Sequence, residues 1–243
     1  MTHPYHALAF IYDQMMDHVN YETWAIYILK IFEYSATHVD TILDASCGTG
    51  ELIRYLPNLK YKILASDLSL EMLKVLKSKN EVNKIPVFTA NSSYLPLHNV
   101  SVNATLMLYD SINYHTNRND LIGSFSEMYR ILKPGGLFIF DTVTRIHCMT
   151  YFNREIEEQF WENVGYTRRS RFDSGKNIQY TEFDIFLSDK TYQEYHMQRI
   201  YSKDELLEIS EKENFEVVAT FDEFSFNQAN KHSERIHFVC RKL

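Results

Sequence analysis

Thr41-Ile-Leu-Asp-Ala-Ser-Cys-Gly-Thr-Gly50, followed by Tyr61-Lys-Ile-Leu-Ala-Ser-Asp67, is the stretch that decides the fold. Each half is a short apolar run closing on an acidic residue, which reads as a buried strand ending at a polar edge. Between them the small-residue turn ASCGTG (45–50) opens onto ELIRYL (51–56), a helical segment. After Asp67, Ser69 is placed to cap a helix with Glu71 in its first turn and Leu70, Leu73 and Leu76 on one face.

The alternation continues outward. Pro86–Thr89 and the apolar Asn103–Tyr109 read as strands, and Leu121, Phe125, Met128 and Leu132 mark a helix that stops at Lys133-Pro-Gly-Gly136. Leu137–Asp141 is a strand again. Repeated strand–helix units with apolar strands imply a doubly wound α/β fold, a parallel sheet covered on both faces. From 145 to 200 the rhythm breaks: aromatic and β-branched residues flank a turn at Asp173-Ser-Gly-Lys176, and TYQEYHMQRIY (191–201) reads as a further strand, so this segment is expected to be an antiparallel β insertion. A helix over 203–213 and strands at Glu216–Phe221 and Arg235–Cys240 close the chain, and residues 1–35 read as helical. With no repeat and no low-complexity linker, 1–243 is expected to be one domain with an N-terminal helical cap (1–35) and an inserted subdomain (145–200).

The 243 residues are 45% hydrophobic and 23% charged, ordinary for a globular protein, but only seven are glycine. A net charge of −7 disfavours sequence-independent binding of long nucleic acid, which needs a basic surface. Cys47, Cys148 and Cys240 are widely spaced, which argues against a disulfide framework or a structural zinc site. None of the ten histidines has metal-ligand spacing, and no metal is implied. The N-terminus lacks the pattern of a secretory signal and no apolar run is long enough to span a membrane, so a cytoplasmic location is expected.

In an open α/β sheet, ligands bind beyond the carboxyl ends of the strands where strand order reverses. Gly48 and Gly50 permit close backbone approach there, the following helix offers its N-terminal amides to an anion, and Asp67 can accept from both hydroxyls of a ribose. Together they point to a nucleoside-containing ligand. A dinucleotide fingerprint would need its third glycine at Ile53, where a β-branched residue would push helix from strand.

Asp44-Ala-Ser-Cys-Gly-Thr-Gly50 resembles the first motif of the class I (Rossmann-like) SAM-dependent methyltransferases, DLSLEML (67–73) the second, and LKPGGLFIF (132–140) the stretch leading into strand five. YHALAFIYDQMMDHVNYETW (5–24) and YDSINYH (109–115) resemble the small-molecule branch, which includes amino-sugar N-methyltransferases and glycine- or sarcosine-type enzymes. The resemblance implies a doubly wound, mostly parallel seven-stranded sheet with the antiparallel insertion after strand five, serving as a substrate cap. It implies S-adenosyl-L-methionine as cofactor and S-adenosylhomocysteine as product. In that reading Asp44 supports the turn and the methionine amino group, with Ser46, Cys47, Gly48 and Gly50 laid against methionine and ribose. Asp67 holds the ribose, Leu68 and Met72 border the adenine, Asn91 and Ser92 meet its amino group, Tyr109 sits by the methionine, and Tyr12 closes over the cofactor with Tyr5. Two residues depart from the pattern: Ser46 replaces the first motif glycine, and Asn91 stands where Asp is common.

Methyl transfer from a sulfonium is an in-line displacement whose main requirement is alignment, and a base is needed only if the acceptor arrives protonated. Asp110, Asn113 and His115, with Tyr114, are the candidates for an acceptor site at the strand-four exit, against a role in capping that loop. Arg169 and Arg171 fall on one strand face, more in keeping with a solvated sheet than with carboxylate recognition. The expected activity is therefore methyl transfer to a small-molecule acceptor, nitrogen slightly ahead of oxygen, with a second copy of the chain as a candidate partner through the aromatic insertion. A tRNA or protein methyltransferase and a non-catalytic SAM-binding protein are the alternatives.

Overall fold

Ile42 and Leu43, neighbours in strand β1 (Thr41–Asp44), are both fully buried but on opposite faces. Ile42 joins a core built from α2 (Tyr21–Tyr34), α3 (Glu51–Tyr55) and α4 (Leu70–Ser78), while Leu43 joins one built from α5 (Arg118–Ile131) and α7 (Lys203–Lys212). The same alternation runs through β4 (Val102–Met107) and β5 (Leu132–Val143), where Leu137 and Ile139 face one helix layer and Phe138 and Phe140 the other. The computed structural model describes residues 3–57 and 60–243.

With β2 (Lys62–Asp67), β3 (Val87–Thr89), β10 (Phe215–Asp222) and β11 (Arg235–Lys242), these strands form a seven-stranded sheet in the order β10-β11-β5-β4-β1-β2-β3. Only β11 runs antiparallel to its neighbours. The doubly wound, mostly parallel architecture read from the sequence is therefore present. β1 pairs with both β2 and β4, so the strand order reverses beside it and opens the crevice at its carboxyl end.

A second sheet of β6 (Glu155–Trp161), β7 (Val164–Asp173), β8 (Ile178–Leu187) and β9 (Lys190–Arg199) is wholly antiparallel and follows a short helix α6 (Arg145–Tyr151). Arg169 and Arg171 both lie on its exposed face, Arg169 paired to Asp184 at 2.6 Å and Arg171 stacked over Tyr180. Its other face packs Tyr166, Phe183 and Ile185 against Ala7, Leu8 and Ile11, so residues 5–11 lie between this sheet and the start of α4.

Three local readings need correction. Residues 1–35 are not continuously helical: a 3-10 turn (Leu8–Phe10) and a four-residue helix α1 (Tyr12–Met15) precede α2. The physical reason is that Glu194 takes the amides of Tyr5, Ala7 and Leu8, and Tyr5 adopts a positive φ; Met1 and Thr2 lie outside the described residues. The Lys133–Gly136 punctuation does not separate α5 from the next strand by a loop; Leu132 already pairs with Val102, and the four residues bulge out before Leu137 pairs with Ala104. Finally, α6 has no periodic apolar pattern and was not anticipated.

His237 on β11 is fully buried among Trp24, Tyr27 and Phe224, and neither of its ring nitrogens has a hydrogen-bond partner. Burial, with Arg235 adding to it, pushes its pKa down to about 3. Between that value and the unfolded one near 6.5 only the unfolded chain binds the proton, so this residue's contribution to stability falls as pH drops. His237→Phe should remove that dependence: on going from pH 7.5 to 5 the wild type should lose about 2 kcal/mol more than the variant in urea unfolding.

Candidate functional site

The crevice beside β1 is a cavity of about 990 Å³ at the carboxyl ends of β1, β2 and β4. Its floor is the turn after β1. Asp44 Oδ1 accepts from the Ser46 amide at 3.3 Å, and Gly48 holds a φ of +53°. The Gly48 amide donates to Asp67 Oδ2 at 2.9 Å, and Ser69 N donates to Asp67 Oδ1 at 2.8 Å. Asp67 thus ties the first strand's turn to the second strand's exit. Burial raises the pKa of both carboxyls, that of Asp44 to about 7, against the backbone donors that favour ionisation.

Of the residues read from the sequence as cofactor contacts, Tyr12, Asp44, Ser46, Cys47, Gly48, Asp67, Leu68, Met72, Asn91, Ser92 and Tyr109 line this cavity. Gly50 does not. Its φ is +81°, and a Cβ there would stand 2.8 Å from Leu76, so its glycine serves the packing of α3 on α4. Cys47 is buried with its thiol pKa raised by burial, which leaves it unreactive.

The acceptor-site candidates are dispersed. His115 lines the large cavity next to Ser92, its Nε2 lying 3.2 Å from Ser92 Oγ and 3.0 Å from Ser124 Oγ. Burial lowers its pKa to about 4, so it is a neutral hydrogen-bonding group at the Asn91–Ser92 end rather than a base at the strand-four exit. Asn113 reaches neither cavity: it is fully buried, donating to Arg199 O at 2.8 Å and accepting from Thr142 Oγ1 at 3.0 Å. It pins the 3-10 turn Ser111–Tyr114 to both sheets.

Asp110 opens instead onto a second, smaller cavity of about 370 Å³, lined by the N-terminal segment, α6 and the inner face of the antiparallel sheet. Tyr109 and Asp110 both have positive φ, a strained pair for side chains of this size. What holds them is charge. Asp110 accepts from Arg235 at 2.8 Å and from Gln198 at 2.7 Å, its own amide donates to Asp141 Oδ2 at 3.0 Å, and Arg235 also pairs with Asp141. Burial pushes both carboxyls up and Arg235 opposes it; the two carboxylates in turn keep the guanidinium charged. The two cavities share Tyr5, Tyr12, Tyr109 and Tyr114 as a common wall.

Sequence reasoning missed Glu194, His196, Gln198 and Arg235. A signal existed for three of them: Glu194, His196 and Gln198 recur at period two on β9, so polar groups occupy the face that the sheet buries.

The segment 42–136 matches the family model of a methyltransferase domain. The chain is 26% identical over 243 residues to YqeM of Bacillus subtilis (strain 168), whose assignment as a methyltransferase is provisional, covering 98% of this chain and 97% of that one. It shares the fold of a solved S-adenosylmethionine-dependent methyltransferase from Clostridium acetobutylicum ATCC 824, with TM-score 0.83, 24% identity and 98% of each chain covered. It also shares the fold of the sugar N-methyltransferase KedS8 from Streptoalloteichus sp ATCC 53650, with TM-score 0.75, 17% identity and 93% and 90% covered.

Removing the charge that holds the strand-four exit should be costly. Arg235→Met leaves two buried carboxylates facing each other and is expected to destabilise the protein by about 3–5 kcal/mol in denaturant unfolding.

Proposed function

We propose that the acceptor of this S-adenosylmethionine-dependent methyltransferase is a small molecule held in the smaller cavity, with an amine nitrogen favoured over a hydroxyl as the receiving atom. The observation that carries the reading is the tyrosine wall: a 990 Å³ cavity at the switch point adjoins a 370 Å³ one across Tyr5, Tyr12, Tyr109 and Tyr114. A chamber roofed by the N-terminal segment and the antiparallel sheet suits a small acceptor, and a net charge of −7 disfavours tRNA. In this reading the sheet of 155–199 is the substrate cap, and the amine preference draws on the fold shared with a sugar N-methyltransferase.

The residues present fit the cofactor. Ser46 Oγ is buried at the cavity without a protein partner, and the open space over Gly48 lets a ligand lie on the backbone. Bound S-adenosylmethionine supplies a methyl group on a sulfonium. Asp67 would accept from the ribose hydroxyls with the lone pairs its two backbone donors leave free. Asp44, raised by burial to about 7, would be held ionised by the methionine ammonium beside it. Leu68 and Met72 would border the adenine, with Asn91, Ser92 and His115 at its polar edge. Tyr12 and Tyr109 would keep water from the transfer path, which leaves alignment as the main source of rate. Among the described residues no helix is long and apolar enough to cross a membrane, and we read the enzyme as cytoplasmic.

Calorimetry with S-adenosylhomocysteine tests the cofactor site: micromolar binding to wild type should weaken at least about tenfold, near 1.4 kcal/mol, in Asp67→Ala. Product formation with ethanolamine, sarcosine and glucosamine, set beside a tRNA pool and a protein extract, tests the acceptor class. Methyl transfer to the macromolecules alone would sink the small-molecule reading.

A further inference from the structure

A continuous line of hydrogen bonds leaves the tyrosine wall and ends on a buried carboxylate. Tyr5 and Tyr114 hydroxyls lie 2.6 Å apart, Tyr114 Oη is 2.9 Å from His196 Nδ1, and His196 Nε2 is 3.1 Å from Glu194 Oε2. The Glu194 side chain is completely buried and that of His196 nearly so. Glu194 also accepts from the amides of Tyr5 at 2.7 Å, Ala7 at 2.5 Å and Leu8 at 3.1 Å. Burial works against its ionisation, but the donation from His196 and these amides holds its pKa below the usual range.

An ionised carboxylate can only accept, and this fixes the direction of every bond in the line. His196 Nε2 carries the hydrogen given to Glu194, so in the neutral ring Nδ1 is a bare lone pair that accepts from the Tyr114 hydroxyl. Tyr114 Oη in turn accepts from the Tyr5 hydroxyl, which keeps its own lone pairs, and Tyr5 is part of the wall between the cavities.

We propose that this line is the exit for the acceptor's proton, with His196 as its sink, and hence that the acceptor enters carrying a proton on the reacting atom, as an ammonium or a hydroxyl. The inference rests on the small-molecule reading above. On an ammonium the departing proton frees the lone pair, and on a hydroxyl the oxygen already holds one; that pair forms the new bond to the methyl carbon, and the carbon–sulfur pair leaves with the thioether. The acceptor's proton goes to Tyr5 Oη, Tyr5's to Tyr114, and Tyr114's to His196 Nδ1, giving an imidazolium paired with Glu194. His196 and Glu194 are positioning residues that act through the tyrosines. The other groups around His196 are the Phe183 ring and, across the smaller cavity, the neutralised pairs Asp110–Arg235 and Glu157–Arg168 with His147, whose pKa is lowered to about 4 by burial. Glu194 is thus the carboxylate in contact with the ring.

The test uses full-length protein with ring-¹⁵N histidine, saturated with S-adenosylhomocysteine and followed by long-range ¹H–¹⁵N correlation from pH 5 to 9. At pH 8 His196 should be the Nε2–H tautomer with Nδ1 bare, and it should take up a proton at Nδ1 on acidification. Glu194→Gln should lower the pH of that uptake by about one unit or more. Tyr114→Phe should slow exchange of the Nδ1 proton with water by about tenfold or more, which a merely structural histidine would not show. An Nδ1–H tautomer, an imidazolium that stays charged to pH 9, or an exchange rate unmoved by Tyr114→Phe would each overturn the relay. Failure of S-adenosylhomocysteine to bind in parallel calorimetry would overturn the cofactor reading instead, and His196 would then be followed in the free protein.

Discussion

Arg235 lies between Asp110 and Asp141, and the geometry of the strand-four exit depends on that contact. Tyr109 and Asp110 occupy left-handed backbone conformations that cost of order a kcal/mol or more each. Asp110 tolerates its conformation because its carboxylate is bound by Arg235 and Gln198 and its amide by Asp141. The three charged residues come from the β4 exit, β5 and β11, so the constraint is anchored in the rigid centre of the sheet. Trp24 and Tyr109 lie over the guanidinium and complete its surroundings with ring faces. The result is that Tyr109 stands in the wall between the two cavities and Asp110 opens onto the small one, from adjacent positions in the chain.

A second buried carboxylate does for the roof what Arg235 does for the floor. Glu194 gathers three amides of the N-terminal segment, and these are donors that a regular helix start would leave unpaired. The segment consequently lies across the inner face of the antiparallel sheet, with Leu8 and Ile11 in its apolar centre and Tyr5 turned to meet Tyr114. Both devices place ionised groups where water is scarce. Each carboxylate there is paired through at least one oxygen, although Asp141 Oδ1 is left without a partner, and that pairing couples the two cavities to the packing around them.

Much of the cofactor-side arrangement was legible in the chain. Local rules govern it: an apolar strand, a turn of small residues, a capped helix, and an acid where the next strand ends. Asp44, Gly48 and Asp67 sit where that grammar puts them, and Ser69 caps α4 through the Met72 amide as its position suggests. Gly50 shows the boundary of such reasoning. Its glycine is required, but by the side chain of Leu76 across the helix layer, and no local pattern distinguishes a ligand's approach from a neighbour's.

The surroundings of the strand-four exit were not legible for a related reason. Asp110, Asn113 and His115 are close in sequence, yet they end in a small cavity, in the core and beside Ser92, because only Asn113 lies within the 3-10 turn, while Asp110 precedes it in a left-handed conformation and His115 follows its end. Glu194 and His196 lie about eighty residues further along, and their meaning depends on which face of β9 is covered. By itself the sequence determined the doubly wound sheet, its reversal beside β1 and the residues of the first two strand exits, since these follow from periodicity and turn chemistry within short windows. Only the tertiary structure decided which polar groups lose their water, and so which carboxylates must find a partner from a distant strand.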